Sequence, residues 1–133
     1  MAELAHGWTR ELAGAMPPDW AAGDIAVLDA AYLARQCFGD IALEHELLQL
    51  FAAQARALCV VLHGMRGRPA AAADAAHRLK GAAAAVGAAR VAAHAARLEA
   101  LERGGAMAAP DEVAGLEQAV EDACVLIALR LAA

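Results

Sequence analysis

The chain has 133 residues, a size that buries one core and calls for a single domain. Hydrophobic residues make up 61% of it but aromatics only 4%, so alanine carries most of the apolar content, favouring helix while filling little volume. A net charge of −5, with eleven scattered Lys and Arg, excludes the clustered cations that hold nucleic acid or an anionic membrane surface.

The first residues, MAELAHGWTRELAGAM, lack a basic n-region and an apolar h-region, so export is not expected. Leu4, Trp8 and Leu12 recur at four-residue spacing, which predicts a short amphipathic helix over 3–15 that MPPDW stops. The next segment, IAVLDAAYLARQCF, sets Ile25, Leu28, Tyr32 and Leu33 on one side, and Gly39 ends it. Asp40 is placed to cap a long helix from 41 to about 63, with Leu43, Leu47, Leu50, Phe51, Leu58 and Leu62 as its inward stripe. After GMRGRP, a fourth segment runs from Pro69 to Val86, and Gly87 suits the left-handed position beyond a helix end. The fifth, Ala88 to Arg103, keeps Val91, Ala95 and Leu98 inside and closes at a Gly pair. Pro110, Asp111 and Glu112 open the last helix, striped by Val113, Leu116, Val120, Cys124, Ile127 and Leu131.

No alternating β pattern occurs, so the fold class is all-α. Short connections between long helices favour antiparallel neighbours. The expectation is an up-down four-helix bundle over 41–131 with additional N-terminal helix packed on it; residues 1–20 form an extension and 21–133 the bundle domain. Uncharged apolar runs such as ALCVVLHGM reach about half of the roughly 18 residues a membrane span needs, and no membrane association is expected. Cys37, Cys59 and Cys124 are odd in number and lack C-x-x-C spacing, which reads as three reduced, buried thiols in a cytoplasmic protein.

The stretch AHRLKGAAAAVGA puts an imidazole, a cation and a glycine into alanine-rich helix. At about 100° per residue, Ala72, Ala75, Leu79, Ala82 and Val86 lie opposite His77, so the ring points outward. Lys80 and Gly81, at i+3 and i+4, share its face, with Ala73 and Ala84 as small neighbours. A mid-helix glycine costs about 1 kcal/mol relative to alanine, so the missing side chain beside the ring calls for a reason, such as close approach by another protein. His77 lies ten residues before Gly87 and Glu99 twelve after it, so the two reach similar heights on adjacent antiparallel helices. A carboxylate taking the Nδ1 proton would leave the Nε2 lone pair as a nucleophile. Arg103, at i+4 from Glu99, and Lys80 supply cations for an anion formed there, while His6, His45, His63 and His94 lack such company. With no Gly-rich nucleotide loop and no acidic cluster for magnesium, the pattern reads as an acceptor of a phosphoryl group activated elsewhere.

AHRLKGAAAAVGAARVAAHAARLE resembles the signature of the histidine-containing phosphotransfer (HPt) domain, H-x-L-K-G, a glycine six residues on, then L-E. His77, Leu79, Lys80, Gly81, Gly87, Leu98 and Glu99 stand at that spacing, and the likeness extends over about residues 25–105. The resemblance implies a four-helix bundle whose histidine takes a phosphoryl group from the aspartyl phosphate of one response-regulator receiver domain and passes it to another. By motif position His77 would be the phosphoryl acceptor, Lys80 the phosphate-side cation, Gly81 the access glycine and Glu99 the acceptor at Nδ1; Arg103 matches a basic position of some members. The partners implied are receiver domains, with a hybrid histidine kinase as a further candidate, and magnesium belongs to the receiver, so this chain needs no cofactor and no kinase activity of its own. Docking is expected around His77, including Ala73, Ala84 and His45, and the chain is expected to be a monomer. Two other readings remain: a non-catalytic helical adaptor for receivers or a histidine kinase, and a bundle holding metal or haem through histidines, for which only Glu44 and His45 are adjacent, at the wrong spacing.

Overall fold

The computed structural model describes residues 26–133; the helix expected over 3–15 and Ile25 lie outside the described residues. The described residues form five helices, α1 (Ala30–Gln36), α2 (Ile41–Gly64), α3 (Pro69–Val86), α4 (Ala89–Arg103) and α5 (Pro110–Ala132), with no strand among them. The described residues are all-α, as the alanine-rich composition implies.

Local chemistry sets the helix ends. Asp29 accepts a hydrogen bond from the Tyr32 amide at 3.0 Å and so starts α1 at Ala30, five residues after the apolar pattern begins at Ile25. The residues before it are instead tied to the α3–α4 turn: the Asp29 amide donates to the Gly87 carbonyl at 2.9 Å, and the Arg90 amide to the Ala26 carbonyl at 3.2 Å. Phe38 and Gly39, both at positive φ, turn the chain into α2, where Asp40 caps the Leu43 amide at 3.1 Å. Pro69 opens α3, Gly87 closes it at φ 81°, and Pro110 opens α5 with Asp111 and Glu112 in its first turn.

Each long helix packs against two others, α2 on α3 and α5, and α4 on α3 and α5, with α1 against α2 and α3. The α3–α4 pairing is the most extensive, because alanines on both helices let the backbones approach. Ala73, expected on the outer face, is fully buried for this reason: it falls on the flank of α3 that the close approach covers. The inward line of α2 also differs from the expected stripe. It runs Glu44, Leu48, Phe51, Ala55, Leu58, Leu62, while Leu50 is 60% exposed and Leu43 and Leu47 sit at the margin. Leu50 is about 120° from the middle of that line, too far round to reach the core.

A carboxylate joins this apolar line because Arg130, in the last turn of α5, reaches Glu44 Oε1 at 3.0 Å. Arg56–Glu121 and His63–Glu117 continue the α2–α5 seam, so His63 is paired rather than solitary. Glu102, also buried, accepts from the Ala108 amide at 2.7 Å and braces the α4–α5 connection. By length and composition α2 is long and apolar enough to cross a membrane, although charged residues break it into short uncharged runs. Its buried residues pack within the protein on α3 and α5. All three cysteines are free, Cys37 and Cys124 buried and Cys59 partly so.

His94, on α4, lies against Gly115 of α5, where an added Cβ would come within 3.1 Å of its ring. Burial pushes this imidazole down to about 4, opposed by Glu112 and reinforced by Arg90 and Arg97. Between pH 6.5 and about 4 the unfolded chain therefore binds a proton that the folded chain does not, so stability present above that window is lost as pH falls through it. His94→Gln should flatten this acid limb, measured as urea midpoints of the two proteins at pH 7.5 and pH 5; equal pH dependence would refute the assignment.

Candidate functional site

α3 and α4 form a hairpin through Gly87 and Ala88, so residue numbers rise on one helix as they fall along the other. This places His77 opposite Glu99 and, one rung further from the turn, Asp74 opposite Arg103. The inward face of α3 carries Ala72, Ala75, Ala76, Leu79, Ala83 and Val86, all buried, which fixes the rotation of the helix and leaves the His77 side chain 60% exposed.

His77 Nδ1 lies 2.9 Å from Glu99 Oε2. An ionised carboxylate can only accept, so in the neutral ring Nδ1 carries the proton and Nε2 keeps its lone pair. Glu99 is the less exposed partner, at 14%, and its other oxygen takes Lys80 Nζ at 2.8 Å. Burial raises the Glu99 carboxyl, but hydrogen bonds and charge from Lys80 and His77 outweigh it and hold the group below its usual range. Glu99 is thus firmly ionised at neutral pH, fit to orient the ring and to stabilise positive charge on it.

Arg103 Nη2 sits 3.4 Å from Glu99 Oε2, and its Nη1 is 3.0 Å from Asp74 Oδ1. The structure therefore brings His77, Lys80, Glu99 and Arg103 into one cluster, with both cations on the Glu99 side of the ring. Asp74 is the member that the sequence reading missed; its place at i−3 from His77 was the available signal. Gly81 adjoins the ring one turn on, and a Cβ built there would meet nothing within 4 Å. Of the neighbours expected around the ring, Ala84 is exposed, His45 is half-buried and Ala73 is inside. Among the described residues no three His, Cys, Asp or Glu side chains converge as a metal site would require.

An exposed imidazole, locked at one nitrogen by an acid from the neighbouring helix of an all-helical domain, is an arrangement suited to carrying a group on the other nitrogen. The family model of the Hpt domain matches residues 42–125, and the chain belongs to that family. Hpt domains take part in phosphorelay histidine phosphotransfer as phosphocarriers rather than kinases, and the family interacts with response-regulator receiver domains and kinases. No curated protein and no solved structure matches the chain significantly.

Proposed function

We propose that this chain relays a phosphoryl group between the aspartates of receiver domains through a phosphohistidine at His77. The observation that carries the reading is the open ring of His77 held at Nδ1 by Glu99. The Nε2 lone pair attacks the phosphorus of a receiver's aspartyl phosphate; the N–P bond forms, the P–O bond to aspartate breaks, and the carboxylate leaves with the bonding pair. The proton stays on Nδ1, and Glu99 stabilises the positive charge that develops on the ring. Transfer onward reverses these steps on a second receiver. Lys80 and Arg103, joined to Glu99, offset its negative charge and that of the incoming phosphoryl group.

Several further elements belong to the same reading. The cyclic packing of α2, α3, α4 and α5 supports an antiparallel four-helix bundle, with residues 1–20 as an extension to it. The receiver supplies the magnesium and the aspartate, so this chain needs no cofactor. It works as a cytoplasmic monomer, without nucleic acid and without a membrane. The receiver docks over Gly81 and Ala84, where side-chain volume is least.

Incubation with a receiver phosphorylated on aspartate tests the reading: acid-labile, base-stable phosphate should appear on this chain, and its absence with every cognate receiver would overturn it. Glu99→Ala should slow transfer about 10- to 100-fold in stopped-flow assays, while the helical circular dichroism stays unchanged. Gly81→Leu should weaken receiver binding at least about tenfold in titration calorimetry without lowering the melting temperature, because the added side chain projects into open space. The adaptor reading predicts instead that receivers bind and no label transfers.

A further inference from the structure

Asp74 is the one acid at this site with no part in the reading above. It lies in the second turn of α3, beyond the first turn where a carboxylate complements the helix dipole, and its side chain is 71% exposed. Helix stability therefore does not explain it. What it touches is Arg103.

Arginine prefers to close on a carboxylate with two parallel N–H···O bonds. The protein contains that closed form elsewhere: Arg97 holds Glu112 through Nε at 2.7 and 2.8 Å and through Nη2 at 2.7 Å. At Arg103 the fork is split. Nη1 goes to Asp74 at 3.0 Å, and Nη2 reaches Glu99 Oε2 only at 3.4 Å, beyond the usual range for such a bond. That same oxygen accepts the His77 Nδ1 proton at 2.9 Å. Arg103 and His77 thus compete for Oε2, and the lengths show the imidazole holding it more closely.

We propose that Asp74 is a positioning residue for the His77–Glu99 pair: by holding one arm of Arg103 it keeps the guanidinium from closing on Glu99 Oε2, and so preserves the ring tautomer whose Nε2 is nucleophilic. The consequence for transfer rests on the phosphocarrier reading, whereas the tautomer effect belongs to the unphosphorylated protein alone. Without Asp74, Arg103 would close on Glu99, with Lys80 already on Oε1, and the carboxylate would have less to offer the imidazole.

The test uses Asp74→Ala, an exposed substitution that leaves the core untouched, with Asp74→Glu as the conservative control. In ¹⁵N spectra of unphosphorylated protein at pH 8, the wild type should show His77 mainly as the Nδ1–H tautomer. Asp74→Ala should shift both ring nitrogens toward a mixed population, and Asp74→Glu should resemble the wild type. Asp74→Ala/Arg103→Ala should recover the wild-type pattern. In transfer from a phosphorylated receiver, Asp74→Ala should be slower by about three- to tenfold, and adding it to Arg103→Ala should change the rate less than about twofold.

Two results would overturn the proposal: a wild-type tautomer pattern in Asp74→Ala, or an equally mixed pattern in Asp74→Ala and the double variant, which would show that Asp74 does not act through Arg103. A wild type that no receiver labels would sink the carrier reading instead, and the tautomer series would still decide the role of Asp74.

Discussion

Replacement of His77 by glutamine should abolish phosphoryl acceptance completely, a larger effect than any other single change at the site. Glutamine keeps a polar side chain on the outer face of α3, where the native side chain is mostly in solvent, so the fold has no reason to respond. Its amide can still meet Glu99, but it has no basic lone pair that could form an N–P bond. Radiolabel from a phosphorylated receiver should therefore appear on the wild type and be absent from His77→Gln, with both proteins binding the receiver alike. Label on the variant at the wild-type level would mean that another group accepts the phosphoryl, and the assignment of His77 would fail. A pathway signal that survives His77→Gln in cells would point to the adaptor role.

Gly87→Val should be the most damaging change away from the site. Gly87 has φ 81°, and a Cβ there would come within 3.0 Å of the Asp29 carbonyl oxygen and 3.1 Å of the Tyr32 ring. The left-handed backbone costs an L-residue roughly 1–2 kcal/mol, and the forced displacement of α1 adds about 1–3 kcal/mol. A loss of about 2–5 kcal/mol is a large part of the stability of a domain this size. It should appear as a lower urea midpoint with an unchanged slope. A wild-type midpoint would show that the α1 approach to this turn gives way freely.

Most helix ends were legible because they are written in short-range chemistry: Asp40, Pro69, Gly87 and Pro110 each stand where a cap or a first turn requires them. The outward direction of His77 followed from the apolar positions of its own helix, and its height relative to Glu99 from the length of each arm beyond Gly87. What could not be read depends on a second helix. Leu50 looked like core by type, yet only the positions of α3 and α5 decide which side of α2 is covered. Glu44 entered the sequence reading only as a neighbour of His45, because its partner Arg130 lies 86 residues later. Ala73 was misplaced because an alanine carries no pattern of its own; its burial comes from how closely α4 approaches. Asp74 was visible as a charge near the histidine, but its meaning lay in Arg103, whose two arms point to different acids.

The scarcity of bulk between α3 and α4 makes the backbone itself the ruler for the chemistry. With methyl groups as the main spacers, main-chain spacing sets the gap between imidazole and carboxylate, and the cations around Glu99 only trim a distance that the two backbones have already fixed. A larger residue buried in that seam, far from the ring and touching none of the reacting atoms, would act as a wedge and detune the nucleophile by pushing its anchor out of reach.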